Sequence, residues 1–259
     1  NYLAERQMLL ILDNVEQLLI EGPLQAQVVE LVLDILQRAP GVKLLVTSRE
    51  ALNLQGEWAF EVRGLAFPEA EQAAGSDEYA AVALFVQRAR RASPRSAFNQ
   101  ADLAAIAQIC RLVEGLPLAI ELAATWSRVL SPGEIAQEIE DSLDFLSASV
   151  RDLPERHRSM RVVFDSSWQR LPAREQQVLS RLAVFRGGFG RQAAEQVAGA
   201  SLSVLSTLVN RTLLRRTAAG RYELHELVRQ YSASRLAADP EAHAETQRRH
   251  YGCFLALAE

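Results

Sequence analysis

The stretch Met8-Leu9-Leu10-Ile11-Leu12-Asp13-Asn14-Val15-Glu16 decides how the rest of the chain is read. Five apolar residues run into an acidic one. An unbroken apolar run of this length fits a strand buried on both faces, as in a parallel sheet. Asp13 then emerges where the strand ends. In open α/β sheets, ligands sit beyond the carboxyl ends of the strands. A carboxylate at that edge can hold a hydrated Mg²⁺ against a phosphate, because a hard cation prefers oxygen ligands. The same residues also fit a buried strand that closes in an Asp-Asn turn, so the flanking sequence has to decide.

Downstream, Pro23 opens a helix with apolar residues at Leu24, Val28, Leu31, Val32, Ile35 and Leu36, spaced near 3.6. It stops at Pro40-Gly41. Val42-Lys43-Leu44-Leu45-Val46 forms a second apolar strand and runs into Thr47-Ser48-Arg49-Glu50. Strand, helix and strand in so few residues make a βαβ unit with parallel strands. Asp13 and Thr47-Ser48-Arg49 therefore share one sheet edge. A short third strand is expected at Trp58–Val62.

From Ala66 the pattern turns helical, with helices expected at 77–92, 100–113, 117–129 and 132–146. Ser131-Pro132-Gly133-Glu134 carries a Ser cap, a first-turn Pro and the Glu of a capping box. Further helices are expected at 156–170, 172–184, 191–198 and 201–210. Gly187-Gly188-Phe189-Gly190 reads as a helix-ending turn, since no strand feeds it and no Lys-Ser/Thr follows. Leu213–Thr217 and Arg221–Leu224 read as a β-hairpin, followed by a helix from about His225 to Ala237. Helices plus a hairpin suggest a winged helix. The expected organisation is mixed but mostly α: 1–65 as a truncated parallel α/β core, 66–150 as a helical bundle, 151–238 as a winged-helix domain. Residues 239–259 begin another helix, whose apolar Tyr251, Phe254, Leu255 and Leu257 await a partner.

The 259 residues carry a net charge of −4, which does not advertise a nucleic-acid or anionic-membrane surface. Two distant cysteines, Cys110 and Cys253, fit a reducing compartment. No apolar run reaches transmembrane length and no secretory signal opens the chain, so a soluble cytoplasmic protein with no membrane role is expected. Lys43 is the single lysine.

Asp13 is the metal candidate. Asn14 cannot act as a base; Glu16 is the nearest other carboxylate and either orients a water or faces solvent. Arg49 at the same edge suits a terminal phosphate, or else forms a salt bridge with Glu50 or Glu16. In Gly115-Leu116-Pro117-Leu118, Pro117 starts a helix and its ring can pack on a flat base. In Leu224-His225-Glu226-Leu227, a histidine at a helix start can donate to an anion. His157, His243 and His250 show no metal-ligand spacing, and the last two read as a solvated helix face.

Taken together, Leu9–Asn14 resembles a Walker B strand and Leu44–Arg49 the sensor strand of the same ATPases. Gly115–Leu118 matches the GLPL motif letter for letter, and Leu224–Leu227 resembles the Met-His-Asp-Leu motif with two conservative changes. The order and spacing are similar to the NB-ARC type of STAND signal-transduction ATPase, with Leu182–Phe189 looking like the bacterial transcriptional-regulator branch. The resemblance implies a P-loop ATPase core, a helical domain and a winged helix operated by ATP, ADP and Mg²⁺. Asp13 would serve Mg²⁺, with Glu16 beside it as a catalytic candidate. Arg49 would sense the γ-phosphate, Pro117 would pack near adenine, and His225 would touch the β-phosphate of ADP.

Two departures qualify this. Asn14 stands where the family has an acidic residue, which puts a hydrolytic base in doubt. The Gly-x-x-x-x-Gly-Lys-Ser/Thr loop has no counterpart, because the single lysine, Lys43, lies at the start of the second strand with no Ser or Thr directly after it. The chain is therefore expected to be a fragment without the P-loop, with no tight nucleotide binding and no activity of its own, from a slow regulatory ATPase. Its expected partners are the missing P-loop portion, tetratricopeptide-like sensor repeats that start at 239–259, and further copies of itself. With strands 1 and 2 of the family's sheet absent, strand 58–62 is expected to be displaced or re-paired. Two other readings stay open: a DNA-binding winged helix, or a scaffold indifferent to nucleotide. The expected reading helix, 201–210, has no basic residue, so DNA contact is expected only through a separate domain.

Overall fold

The structure is a computed structural model and describes residues 2–19, 23–69, 78–93, 97–147 and 159–258. It divides into two compact units, residues 1–60 with 206–213, and residues 61–205 with 214–259.

In the first unit, β1 (Met8–Leu12) leads through α1 (Pro23–Arg38) to β2 (Val42–Val46). The strands pair in parallel, Met8 opposite Val42 and Leu12 opposite Val46. α1 turns its Val32 inward, and Ala39 and Val42 are buried after it. The register puts Asp13 and Thr47 side by side, one residue past each strand. Burial corrects one expectation: β1 is not enclosed on both faces. Leu9 is 56% exposed and Ile11 59%, with Leu45 of β2 at 51%. Among the described residues the sheet has two strands, with the crossover helix α1 packed on β2, and the side chains of Leu9, Ile11 and Leu45 stay uncovered.

The expected strand at 58–62 does not form. The backbone there is irregular, and Trp58, Phe60 and Val62 are 97%, 90% and 86% exposed. A strand exists only with a partner for its N–H and C=O groups, and β1 and β2 pair with each other.

The second unit begins with a helical bundle of α2 (Ala80–Ala92), α3 (Gln100–Leu112), α4 (Pro117–Thr125) and α5 (Pro132–Asp141). α2 packs on α4 and α3 on α5. α4 buries Ala119, Ile120, Leu122, Ala123 and Ala124, residues on nearly every face, as the central helix of a bundle must. Phe85, Ile106, Ile109, Ile135 and Ile139 complete a core with no solvent contact. Cys110 lies in it, and burial pushes its thiol up to about 12, so it stays an inert apolar filler.

α6 (Met160–Trp168), α7 (Ala173–Leu182), α8 (Arg191–Ala198) and α9 (Leu202–Asn210) follow, then the hairpin β3 (Arg215–Arg216) and β4 (Tyr222–Glu223), α10 (Glu226–Ala237) and α11 (Pro240–Ala258). Gly199, in the left-handed region at φ 66°, makes the turn from α8 to α9. Phe189 and Tyr222 exchange backbone hydrogen bonds of 2.9 and 2.8 Å. α7 already ends at Leu182, so the Gly187–Gly190 loop is not the turn that ends it; the loop leads into α8, with Gly190 as its N-cap, and its Phe189 adds an antiparallel bridge to β4. Leu227 and Tyr231 of α10 bury in the same core as the bundle. The boundary expected at 150 falls at 148–158, outside the described residues, as does His157.

α11 packs on α8, α7 and α10. Its His250 corrects another expectation: the ring lies edge-on to Phe185 at 5.1 Å and near Phe254 at 4.8 Å, not on a solvated face. Burial holds it below the usual imidazole value. Tyr251 and Leu255 remain exposed.

Candidate functional site

In the first unit, the site grows from the ends of β1 and β2. The Thr47 hydroxyl donates to Asp13 Oδ1 and accepts from the Asn14 amide at 2.9 Å. The Thr47 backbone donates to Leu12 O at 2.9 Å and accepts from Val15 N at 3.0 Å. One threonine therefore fixes the Asp13 carboxylate and the turn behind it. Asp13 is exposed, which leaves its second oxygen open to solvent or a hydrated cation.

Asn14 takes a left-handed conformation, φ 60° and ψ 43°, which asparagine tolerates better than most residues. That turn sends Glu16 inward. Glu16 does not face solvent: it is 3% exposed and lies 3.3 Å from Arg49 Nε. With the Asn14 amide oriented to satisfy its neighbours, Nδ2 also donates to Glu16 Oε2 at 3.0 Å. Arg49 keeps 45% of its side chain exposed. Glu50 pairs with Arg211 at 3.2 Å, and the Thr212 hydroxyl reaches the Arg49 carbonyl at 3.5 Å.

In the second unit, the site forms where the α3–α4 turn meets α10. Glu114 and Gly115 both take positive φ, 45° and 69°. A Cβ on Gly115 would stand 2.1 Å from Leu65 O, and one on Gly64 would stand 2.2 Å from Glu114 O. Two glycines are thus required for the 64–65 segment to cross this turn, where Leu65 N donates to Gly115 O at 2.8 Å. Pro117 begins α4 with its ring exposed.

His225 caps α10: its Nδ1 accepts from Leu227 N at 3.1 Å. The neutral ring therefore carries its proton on Nε2. That atom is buried and makes no hydrogen bond of ordinary geometry among the described residues. Glu114 Oε1 lies 3.9 Å from His225 Nδ1 and accepts from Glu226 N at 3.3 Å. Burial holds the imidazole below its usual range. The Glu114 carboxylate, the Val113 carbonyl and Glu226 pull the other way, and Arg215 adds to the lowering.

The structure thus brings Asp13, Glu16 and Arg49 to one edge, and the Gly115–Pro117 turn to the start of α10. Sequence reasoning placed Thr47 at this edge but gave it no role, and it missed Glu114. Thr47 follows a strand opposite Asp13, so its position was a usable signal. Glu114 is 112 residues from Glu226, a pairing that no local pattern reveals. Among the described residues no group of three or more His, Cys, Asp or Glu could hold a metal, and no helix is long and apolar enough to cross a membrane.

Residues 171–237 match the family profile of the winged helix-turn-helix domain. A protein of Mycobacterium tuberculosis (strain ATCC 25618 / H37Rv), provisionally named an HTH-type transcriptional regulator, is 34% identical over 270 residues, 99% of this chain and 28% of the relative. A second protein of the same strain, of uncharacterised function, is 31% identical over 256 residues, 94% of this chain and 61% of the relative. The chain thus spans under a third of the first relative's length. The crystal structure of a STAND protein with a tetratricopeptide repeat sensor from Pyrococcus horikoshii aligns with 99% of this chain and 32% of its own, at 16% identity and TM-score 0.36.

Proposed function

We propose that this chain is part of a nucleotide-dependent ATP/ADP signalling switch, of the STAND class and NB-ARC type, within a transcriptional regulator. The carrying observation is the pairing of Asp13 and Thr47 beyond two parallel strands, with Arg49 two residues on. The relatives' regulator name supports the biological setting.

The residues fit the ligands this reading requires. Asp13, anchored through one oxygen, keeps the other for a water of hydrated Mg²⁺, a cation that sheds water reluctantly and suits one or two carboxylates. Mg²⁺ would neutralise phosphate charge there. Arg49 offers a half-exposed guanidinium to a terminal phosphate. His225 Nε2 is buried, makes no hydrogen bond of ordinary geometry among the described residues, and would donate to the β-phosphate of ADP, and the exposed Pro117 ring offers a flat contact for adenine. Glu16 is engaged by Arg49, which suits a slow ATPase in the parent and no activity in this chain.

A phosphate-binding loop is required, and these residues contain none. The reading therefore assigns it to a further segment, with sensor repeats after α11, in a cytoplasmic parent. Within this proposal, 1–65 is the end of the ATPase core, 66–150 the helical domain, 151–238 the winged helix and 239–259 the start of the sensor.

Two measurements test it. Calorimetry on this chain should show ADP binding weaker than micromolar. In a longer form of the protein that carries the loop, hydrogen exchange at residues 13–16, 47–50 and 225–227 should differ between ATP and ADP. Identical exchange with both nucleotides would refute the switch.

The winged-helix match favours a second reading, DNA binding. Phosphate contacts dominate DNA affinity and need Lys or Arg. α9 has neither within Leu202–Asn210, and Arg211 is held by Glu50. DNA contact is therefore assigned to a separate domain. A salt-sensitive gel shift by this chain alone would reverse that assignment.

A further inference from the structure

Glu16 is a carboxylate withdrawn from water, and a buried charge is costly unless paired and hydrogen-bonded. Its partners include the Asn14 side-chain amide and the Arg49 guanidinium. Arg49 differs from both in being half exposed. A guanidinium holds several donors in a rigid fork that suits carboxylate and phosphate alike. The half-exposed side chain keeps a guanidinium that contacts Glu16 within reach of an anion from solvent.

The same two residues are gripped from the other direction. Glu50 holds Arg211 at 3.2 Å, with the two side chains only 18% and 20% exposed. The Arg49 carbonyl accepts from Thr212. Arg49 and Glu50 thus join two ion pairs through a single peptide link, one at the end of β1 and one just after α9.

We propose that Glu16 is an internal stand-in for a phosphate group at Arg49. A phosphate-bearing ligand takes the guanidinium over from Glu16, and the shift of Arg49 loosens the hold of residues 49–50 on Arg211 and Thr212. The ligand class rests on the nucleotide reading above; the ion pairs do not. Exchange leaves Glu16 buried with one partner fewer, so the pair acts as a brake on anion binding.

The test follows the Arg49 Nε–Hε signal in ¹⁵N spectra of the whole chain while inorganic pyrophosphate is added. Glu16→Gln is expected to move this signal before any ligand is present and to lower the pyrophosphate midpoint about tenfold. The Arg211 and Thr212 amides should move with the same midpoint. Should that substitution disturb folding, Glu16→Asp keeps the charge but draws it back by one methylene, and its midpoint should fall between the two. Equal midpoints in all three proteins overturn the exchange. Still amides at 211 and 212 overturn the transmission. An Arg49 signal that pyrophosphate never moves also overturns the proposal, while the Mg²⁺ role of Asp13 is judged separately by nucleotide titration. A shift that responds to Glu16→Gln but ignores Mg²⁺ upholds the exchange even if the nucleotide reading falls.

Discussion

Thr47 ties two strands together through a single hydroxyl, which donates to Asp13 and accepts from Asn14 N. Thr47→Val keeps the shape and removes both bonds. It should cost about 0.5–1 kcal/mol in urea unfolding, the net scale of hydrogen bonds whose partners can turn to water, and Thr47→Ser should recover most of that. A valine variant as stable as wild type would show that the hydroxyl holds nothing. His225 makes a second residue-scale prediction. Its folded-state proton affinity is lowered by burial, against the opposing pull of Glu114, Val113 O and Glu226 and with the help of Arg215. The unfolded chain therefore binds this proton more readily. Stability is fully present above the ordinary histidine value near 6.5 and falls as pH drops below it, until the folded-state ring is itself charged. His250 acts with the same sign. Unfolding midpoints at about pH 7.5 and about pH 5.5 should differ, and His225→Asn should shrink the difference. An unchanged difference would assign the whole effect to other groups.

The crossing of Gly64 and Gly115 governs the elements around it. Gly115→Ala would put a methyl 2.1 Å from Leu65 O on a backbone already at φ 69°. We expect a loss of at least about 2 kcal/mol and weakened protection of the first turn of α4. Gly133→Ala, where a Cβ meets nothing within 4 Å, is the control and should be near neutral or stabilising. Local chemistry explains why most helices were legible in the sequence. At Ser131 both halves of the capping box form, with Ser131 N donating to Glu134 Oε2 at 2.8 Å. α8 spans the same residues, 191–198, as its pattern indicates. Other features were illegible because their cause lies far off in sequence. Strand 58–62 needed a neighbour that the described sheet does not supply. The extra rung at Phe189 depends on Tyr222, and the cap on Glu226 depends on Glu114. At the candidate site, the shared edge of Asp13 and Arg49 followed from βαβ topology. The inward turn of Glu16 did not, since it hangs on the left-handed backbone of Asn14.

Across the whole molecule, apolar surface is unevenly distributed. The bundle core is sealed, whereas Leu9, Ile11, Leu45, Trp58 and Phe60 stand open. An exposed parallel pair with no further strand among the described residues invites pairing with another chain. Sedimentation should show concentration-dependent self-association that Ile11→Lys reduces; a monomer at all concentrations would count against it. The same open sheet is what a phosphate-loop segment would have to cover if Asp13 serves a nucleotide. That claim is tested most directly by titrating Mg²⁺-ATP into the longer, loop-bearing protein and into its Asp13→Ala variant. The account predicts that removing the carboxylate lowers Mg²⁺-dependent affinity at least about tenfold, or roughly 1.4 kcal/mol, with the fold intact. Equal affinity in the two proteins would contradict it.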